Sequence, residues 1–536
     1  MQYNQRMLSY ARGPEWTPSA ETIGERLRQT ASRLPDSLAL VSRHQGTRFT
    51  WSELDARVDE WARGLLGSGL APGDRVGVWS SNCWEWVVLQ LACARAGLVL
   101  VNVNPAYRSH ELSYVIAKSR MKALFLRESD HRANYREILA QCESQPARAV
   151  YFEEGKRYWE SAGEPGSIDA GDVVNIQYTS GTTGSPKGVL LTHRNLLNNG
   201  WLVGAQMRLT PEDRICLPVP LYHCFGCVMG VLASVSHGAA LILPNWQFDA
   251  RLALQAIHAE RATAVYGVPA MFIAMLEHPD FDSFDLASLR TGIMAGAPCP
   301  VEVMRRVVDR MHCREMTIAY GQTESSPVIT MSAADDSLDV RVGTVGAALS
   351  ATEVKIASPD SGATVARGVQ GELCTRGYLV MTGYDGEPEA TAKAVDAEGW
   401  LHTGDLAVMR EDGNCRITGR AKDMIIRGGE NVYPREIEEF LYTNPKVADV
   451  QVVGLPDERL GECVAAWVRL KRGESAAEDE IRDWCRDRIA HFKIPKYIRF
   501  VDEFPMTVTG KVQKFKIREE EIRRLGLEAA ACVETA

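Results

Sequence analysis

The feature that most constrains this chain is the segment 178–188, which reads Tyr-Thr-Ser-Gly-Thr-Thr-Gly-Ser-Pro-Lys-Gly. It combines three glycines, five Ser or Thr hydroxyls and one lysine, and it contains no carboxylate. Glycines let backbone N–H groups approach an anion closely, hydroxyls donate to its oxygens, and lysine adds a positive charge. The segment therefore predicts a phosphate-binding loop.

The residue order differs from that of a Walker loop, because Pro186 precedes Lys187 and Gly188 follows it. The apolar stretch 173–177 precedes the segment, and three apolar residues follow it before Thr192, a favourable helix N-cap. We therefore expect the loop to join two strands, with a helix starting only after Thr192. The alternative is a flexible linker, against which the apolar flanks argue.

The length of 536 residues predicts two or more domains, because a single hydrophobic core rarely organises so long a chain. A hydrophobic content of 45% and a charged content of 24% are ordinary for a soluble globular protein. The net charge of -9 argues against a nucleic-acid partner. The sequence contains neither a signal-peptide pattern nor an apolar run long enough for a membrane span, so we expect a cytoplasmic location.

Helix and strand patterns alternate along the first 170 residues. They predict helices over 20–34, over 52–70 with Ser52 as N-cap, and over 84–96, and strands over 74–79 and 98–103. Strands that are apolar throughout indicate an α/β fold with parallel sheets covered by helices on both faces. Short strands punctuated by glycines over about 340–384 predict a small β-rich subdomain.

Segment 178–188 resembles the signature loop of the adenylate-forming superfamily, which includes acyl-CoA synthetases, aryl-CoA ligases, peptide-synthetase adenylation domains and beetle luciferases. Further motifs resemble those of the family and follow in its order, at 218–226, 266–272, 295–298, 320–324, 399–405, 419–423, 424–434 and 505–514. The loop, the segment Pro220 to Gly226 and the segment Asp423 to Asn431 look most like medium-chain acyl-CoA synthetases.

The resemblance implies a large amino-terminal domain, residues 1–421, built of two helix-covered sheets and the small β-rich subdomain. A smaller α+β domain, residues 422–536, would follow on a hinge at Lys422. The resemblance also implies ATP, Mg²⁺ and coenzyme A as cofactors or co-substrates. It allows a homodimer.

By resemblance, the nucleotide site comprises the signature loop, two strand-end turns and three later residues. These are Thr179, Ser180, Gly181, Thr182, Thr183, Gly184, Ser185, Pro186, Lys187, Gly188, Gly296, Ala297, Pro298, Tyr320, Gly321, Gln322, Thr323, Asp405, Arg420 and Lys511. Tyr320 would stack on adenine, and Asp405 would accept hydrogen bonds from the ribose hydroxyls. A surface ion pair is the alternative for Arg420. Catalytic roles would fall to Lys511, Thr323, His223 and Glu324, and Glu324 would ligate Mg²⁺.

An acyl pocket is implied around Tyr222, His223, Gly267, Val268, Met271 and Gly296. A core position is the alternative for His223 and for Met271. Peptide-synthetase relatives place an aspartate near His223 to pair with the α-ammonium of their substrate, and segment 218–230 has none. Since an unpaired buried ammonium is costly, we expect a carboxylic acid without an α-amino group. Arg427, Gly428, Gly429 and Glu430 would line the coenzyme A channel.

The implied reaction joins an acid to ATP, giving acyl-AMP and pyrophosphate, and then transfers the acyl group to coenzyme A with release of AMP. Three alternatives stay open: an acyl-AMP ligase that loads a carrier protein, a luciferase-like oxygenase, and a non-catalytic AMP-binding protein. By the same resemblance, fatty-acyl-AMP ligases have an insertion near this position. The short spacing between Asp405 and Arg420 leaves no room for it in this sequence.

Two remaining patterns predict structure and no chemistry. Among thirteen cysteines, Cys224 and Cys227 alone have C-x-x-C spacing, without a second pair, so we expect small apolar wall residues. The last helix carries Glu519 with Arg523 and Glu520 with Arg524 at i,i+4 spacing, which predicts a solvent-facing helix.

Overall fold

A computed structural model describes residues 7–130, 133–157, 162–179, 186–297, 299–420, 423–427, 430–457, 459–486, 488–507 and 511–527. Within these ranges no helix is both long and apolar enough to cross a bilayer.

Over the described part of the chain, the strands in chain order are β1 Tyr10–Arg12, β2 Leu38–Ser42, β3 Thr47–Thr50, β4 Arg75–Trp79, β5 Val99–Val103, β6 Ala123–Leu126, β7 Arg148–Tyr151, β8 Val173–Thr179, β9 Lys187–Thr192, β10 Arg214–Cys216, β11 Ala240–Leu243, β12 Ala264–Gly267, β13 Thr291–Ala295, β14 Glu315–Gly321, β15 Val328–Met331, β16 Ala347–Ala348, β17 Thr352–Ala357, β18 Gln370–Gly377, β19 Gly383–Tyr384, β20 Leu401–Met409, β21 Cys415–Arg420, β22 Ile425–Arg427, β23 Glu430–Val432, β24 Val447–Asp457, β25 Gly461–Leu470 and β26 Tyr497–Phe500.

The α-helices are α1 Ile23–Arg33, α2 Trp51–Gly67, α3 Trp84–Ala96, α4 Ser109–Ser119, α5 Tyr135–Ala140, α6 His193–Gln206, α7 Ala233–His237, α8 Ala250–Glu260, α9 Pro269–Leu276, α10 Val301–Arg310, α11 Leu338–Gly343, α12 Pro388–Ala394, α13 Pro434–Leu441, α14 Glu478–Cys485 and α15 Lys514–Leu525. A π-helical segment, Phe225–Leu232, precedes α7.

Two large, mainly parallel sheets form the amino-terminal part. One has the strand order β19-β9-β8-β5-β4-β6-β7 and the other the order β16-β15-β14-β13-β12-β10-β11-β2-β3. The inner pairings are parallel, whereas β9, β19, β15, β16 and β3 add antiparallel edges. The α/β prediction with helix-covered parallel sheets is confirmed.

Helices lie between the two sheets and on their outer faces. The main core joins α2, α3 and α6 to side chains of both sheets, such as Val78 and Tyr266. Every residue of α3 from Trp86 to Ala96 is buried, as expected for a helix that is apolar on all sides. A second core packs α8, α9 and α10 on the outer face of one sheet, and a third packs α4 and α5 on the other.

A small antiparallel sheet has the order β1-β17-β18-β20-β21. It runs from Thr352 to Arg420, so the prediction of a β-rich subdomain over 340–384 was right in kind and wrong in extent. It also takes β1 from the start of the chain, pairing Tyr10–Arg12 with β17. A three-residue strand carries too little periodicity to be found from sequence.

The carboxy-terminal part is an α+β unit with the strand order β23-β22-β25-β24, β26 on β25, and helices α13, α14 and α15. The face of α15 that carries Glu519, Glu520, Arg523 and Arg524 is exposed, as predicted, while Ile517 and Glu521 are buried. The ion pairs differ from the i,i+4 spacing, because Arg524 pairs with Glu521 at i,i+3 and Glu520 pairs with Arg499 of β26. Glu520 has a tertiary partner because the helix packs on the sheet.

Helix starts depended on capping. The predicted N-cap Ser52 was wrong, because Thr50 caps α2 in a reciprocal pair with Glu53. Similarly, Thr22 caps α1, which starts at Ile23 and not at residue 20. Thr192 was correct, since its hydroxyl accepts from the N–H of Asn195 at the start of α6.

Candidate active site

The phosphate-binding loop lies at the tip of a hairpin. Strands β8 and β9 are antiparallel, with Thr179 opposite Lys187 and Tyr178 opposite Gly188, so the prediction that the loop joins two strands is confirmed. Loop residues 180–185 lie outside the described residues. At the loop's end the Pro186 carbonyl accepts a hydrogen bond of 3.0 Å from the hydroxyl of Tyr114.

Three predicted site segments meet at one edge of a sheet. Strands β12, β13 and β14 are adjacent and parallel, with Gly267 level with Met294 and Ala295 level with Ala319. Their carboxyl ends therefore bring Gly267, Gly296 and Tyr320 to the same edge. This edge, called the crevice below, is where ligands bind in open α/β sheets.

Gly296 lies between an apolar wall of the crevice and Lys511. It has φ +82°, and a methyl group built on it would lie 3.3 Å from Val268 Cγ1, 3.6 Å from Lys511 Cε and 4.0 Å from Phe225 Cδ1. The absence of a side chain at Gly296 thus keeps space open between an apolar wall and a lysine. Ala297 follows, and Pro298 lies outside the described residues.

Lys511 reaches the crevice from the carboxy-terminal part. Its N–H donates to Thr507 Oγ1 at 3.0 Å, and its carbonyl accepts from the Thr507 N–H at 2.7 Å. Residues 508–510 lie outside the described residues. The charge of Lys511 acts on two groups of the crevice, since it lowers the pKa of His223 and opposes the burial that raises the pKa of Cys224 to about 11.

His223 is a neutral hydrogen-bonding group. Burial and the Lys511 charge lower its pKa to about 3. Its Nδ1 accepts from the N–H of Phe225 at 3.2 Å, so the ring proton of the neutral form lies on Nε2. His223 therefore offers a donor in the crevice and no charge.

Tyr320 and Asp405 are joined directly. The Tyr320 hydroxyl donates to Asp405 Oδ2 at 2.7 Å, and Asp405 is only 8% exposed. The N–H of Asp405 donates to Thr403 Oγ1 at 3.1 Å, which holds the bend before it. Arg420 is the Cα partner of Asp405 across β20 and β21. Tyr320, predicted to stack on adenine, and Asp405, predicted to bind the ribose, are thus in direct contact.

Glu324 lies in a short turn, Thr323–Ser325, directly after β14. Its Oε1 accepts a hydrogen bond of 2.9 Å from the hydroxyl of Tyr384. Burial and the Glu324 charge raise the pKa of Tyr384, so this donor keeps its proton. Among the residues with described positions, no lysine or arginine forms an ion pair with Glu324, which leaves a carboxylate suited to a hard cation. Thr323 is buried beside it, 3.9 Å from Cys224 Sγ.

The wall of the crevice is apolar. Phe225 stacks on Tyr266 with ring centroids 6.0 Å apart, and Val268 and Met271 are buried. The Tyr222 carbonyl accepts from Asn102 Nδ2 at 2.9 Å. Cys224 and Cys227 are buried free thiols beside this wall, as predicted.

The remaining predicted residues belong to the carboxy-terminal part. Arg427 and Glu430 are Cα partners in the β22 and β23 hairpin, and Arg427 Nη1 donates to the Phe492 carbonyl at 2.5 Å. Gly428, Gly429 and the hinge residue Lys422 lie outside the described residues. Arg427 is therefore engaged within the carboxy-terminal part while Lys511 faces the crevice.

Contacts between the two parts support this arrangement. Arg469 Nη1 of β25 lies 3.2 Å from Glu277 Oε2, just after α9. Tyr433 lies beside Gly419 of β21, since a methyl group built on Gly419 would lie 3.6 Å from Tyr433 Cδ1. Both contacts join the amino-terminal part to the carboxy-terminal part, so they depend on the orientation that places Lys511 in the crevice.

Sequence reasoning missed Tyr384 and Phe225 as site residues. Tyr384 ends a two-residue strand, and its bond to Glu324 spans 60 positions, so no local spacing connects them. Phe225 adjoins the predicted His223, and its aromatic side chain was a signal that could have been used.

Comparison with known proteins assigns the family. Residues 27–385 match the model of the AMP-binding enzyme family, and residues 436–511 match that of the AMP-binding enzyme C-terminal domain. The chain belongs to the AMP-binding, adenylate-forming enzymes, as its motifs predicted.

Similar proteins narrow this class. The Bacillus subtilis protein YngI, whose name proposes an acyl-CoA synthetase, is 49% identical over 95% of this chain and 98% of its own. The mitochondrial medium-chain acyl-CoA ligase of Homo sapiens is 42% identical over 97% of this chain and 91% of its own.

Solved structures agree on the fold. The anthranilate CoA ligase AuaEII, in complex with anthranoyl-AMP, has a TM-score of 0.86 at 25% identity, covering 94% of this chain and 98% of its own. ATP-bound MatB from Rhodopseudomonas palustris has a TM-score of 0.82 at 30% identity, covering 93% and 99%.

Proposed function

We propose that the chain is an AMP-forming acyl-CoA synthetase that activates a carboxylic acid without an α-amino group, a medium-chain fatty acid or a related acid. The names of the relatives support this class of substrate. The observation that carries the proposal is the position of Lys511, against Gly296 in the crevice that also holds His223 and Thr323.

In the first half-reaction, a carboxylate oxygen of the acid forms a bond to the α-phosphorus of ATP, and the bond to pyrophosphate breaks. Negative charge develops on the phosphoryl oxygens. Lys511 is positioned to stabilise this charge together with donors of the signature loop, including Thr179 and Lys187. Neutral His223 offers its Nε2 proton to the same oxygens without adding a charge.

Tyr320, Asp405 and Arg420 are proposed to bind the nucleoside. Tyr320 offers an aromatic face for adenine while its hydroxyl fixes one oxygen of Asp405. The Asp405 carboxylate then has a set orientation for the ribose hydroxyls. The Gly296 turn and the Gly321–Gln322 turn complete the walls around the base and the phosphates.

Glu324 is the proposed Mg²⁺ ligand. It fits that role, because it is a carboxylate at the crevice edge whose orientation is set by a neutral donor, Tyr384, and not by a cation. When bound, Mg²⁺ neutralises charge on the phosphate oxygens.

The acid is proposed to lie along Tyr222, Val268 and Met271, with Gly296 at the reacting end. This wall is apolar, and segment 218–230 has no carboxylate to pair with an ammonium group. An apolar acid is therefore favoured over an amino acid.

In the second half-reaction, the coenzyme A sulfur forms a bond to the acyl carbonyl carbon, and AMP leaves. We propose that residues 422–536 turn about Lys422 for this step, withdrawing Lys511 and presenting segment 427–430. The engagement of Arg427 within its own domain while Lys511 occupies the crevice supports an alternation between two arrangements.

The test is product analysis with purified protein, ATP, Mg²⁺, coenzyme A and a panel of straight, branched and aromatic acids. We expect AMP, pyrophosphate and acyl-CoA, and pyrophosphate exchange when coenzyme A is omitted. Production of ADP and orthophosphate would refute the proposal. Transfer to a phosphopantetheinyl carrier protein, with no reaction of free coenzyme A, would assign the alternative acyl-AMP ligase, and absence of turnover would assign an AMP-binding protein.

The cytoplasmic location and the homodimer remain predictions. The relatives include a bacterial protein and proteins named as mitochondrial. Cell fractionation tests the location, and light scattering after size-exclusion chromatography tests the dimer.

A further inference from the structure

Three side chains with metal-binding atoms converge in the small antiparallel sheet, and none of them is the proposed Mg²⁺ ligand. Glu372 and Cys374 lie on β18, and His402 lies on β20 as the Cα partner of Cys374. Glu372 and Cys374 are two positions apart in one strand, so their side chains point to the same face of the sheet. One carboxylate oxygen, one sulfur and one ring nitrogen all lie within 4.8 Å of one another.

The distances suit a tetrahedral metal. His402 Nδ1 lies 3.5 Å from Cys374 Sγ. Bonds of about 2.0 and 2.3 Å from zinc to nitrogen and sulfur would separate the two ligand atoms by about 3.5 Å at a tetrahedral angle. His402 Nδ1 also lies 2.8 Å from Glu372 Oε2, so the carboxylate need withdraw by only about half an ångström to admit a metal.

Neighbouring groups lie behind two of the three ligands. Glu372 Oε1 accepts from the N–H of Gly404 at 2.9 Å, which leaves Oε2 directed at the histidine. His402 Nε2 lies 3.5 Å from Asp396 Oδ2. A carboxylate behind the second ring nitrogen and a hydrogen bond on the second carboxylate oxygen are typical of metal ligands.

A hydrogen bond accounts for part of this geometry. The Nδ1–H tautomer of His402 can donate to Glu372 Oε2 at 2.8 Å, but it does not engage the sulfur that lies 3.5 Å from Nδ1. A metal would engage all three atoms.

We propose that Glu372, Cys374 and His402 bind one thiophilic divalent cation, preferably Zn²⁺, with water as the fourth ligand. Binding forms the metal–sulfur bond and breaks the S–H bond, and the proton passes to solvent. Hard cations such as Mg²⁺ prefer oxygen ligands and would be excluded. Solvent reaches the site through Glu372 and His402, whose side chains are 22% and 31% exposed.

The site is coupled to the crevice through the backbone. Glu372 accepts a hydrogen bond from the N–H of Gly404, the residue before Asp405. A cation that shifts the Glu372 carboxylate would therefore also shift the bend that positions Asp405. We expect Zn²⁺ to raise the KM for ATP several-fold, and this expectation rests on the proposed ribose role of Asp405.

Co²⁺ is the probe, because a thiolate ligand gives it a near-ultraviolet charge-transfer band and tetrahedral geometry gives it strong visible bands. Full-length protein is treated with chelator, freed of it, and titrated with Co²⁺. We expect one equivalent to bind with both signatures, and one equivalent of Zn²⁺, but no excess of Mg²⁺, to displace it. The binding readout needs no substrate, so its failure is distinct from failure of the synthetase proposal.

The variants Cys374→Ser and His402→Gln should lose the charge-transfer band. Cys415→Ser is the matched control, since Cys415 is a buried free thiol in the same sheet. Absence of a thiolate band in the unmodified protein would overturn the proposal and leave a hydrogen bond between Nδ1 and Oε2. A band that survives Cys374→Ser, or that Cys415→Ser removes, would overturn it equally.

Discussion

Replacing Gly296 by alanine would test whether the space between Val268 and Lys511 is the reacting end of the acyl site. The added methyl would lie 3.3 Å from Val268 Cγ1 and 3.6 Å from Lys511 Cε. The first distance is below the optimum of about 3.5 to 4.0 Å for carbon contacts, so the methyl fills the gap completely. The substrate carboxylate and the Lys511 side chain would then overlap with the space that the added methyl occupies.

Two effects of this substitution must be separated. Alanine at φ +82° costs about 1 to 2 kcal/mol of folding stability wherever it occurs. A misplaced methyl in a binding pocket costs a further 1 to 3 kcal/mol or so of transition-state binding, about 10- to 200-fold in kcat/KM. Gly413→Ala isolates the first effect, because Gly413 has φ +86° and no atom within 4 Å of the added methyl.

The assay is acid-dependent pyrophosphate exchange, with thermal unfolding measured in parallel. We expect both variants to lose similar stability and Gly296→Ala alone to lose exchange. Equal exchange rates in the two variants would refute the assignment of Gly296 to the reacting end, whatever their stability.

Three further expectations concern catalysis and stability. Lys511→Ala should abolish pyrophosphate exchange yet still convert supplied acyl-adenylate to thioester, and equal loss of both would contradict its role in the first half-reaction alone. Tyr384→Phe, which removes the donor to Glu324, should lower kcat/KM for Mg-ATP about tenfold, as expected for a bond to a half-buried carboxylate, and unchanged Mg²⁺ dependence would reject the link. Burial lowers the pKa of His193 to about 4, below its unfolded value, so the free energy of unfolding should decrease as pH falls from about 6.5 to 4, by at most about 3 kcal/mol. His193→Asn, which keeps an acceptor for the N–H of Ile23, should flatten this slope in urea titrations, whereas replacement of exposed His110 by asparagine should not.

Local chemistry explains which predictions succeeded. The hairpin around the signature loop and the N-cap at Thr192 follow from residues adjacent in the chain, and the structure has both. The parallel sheets were likewise predictable, because strands buried on both faces are apolar throughout. One error falls where a distant partner decides the outcome, since Glu520 pairs with Arg499 of β26 and not with Arg524.

The sequence by itself determined the family motifs, their order and the chemistry each can perform, since glycine, hydroxyl, lysine and carboxylate groups keep that chemistry in any fold. Only the tertiary structure decided which groups meet. Tyr320 contacts Asp405, Tyr384 contacts Glu324, and Lys511 reaches Gly296, across separations that carry no sequence periodicity. The physical reason is that strand order and domain orientation are set by burial summed over the whole chain, and no local segment encodes that sum.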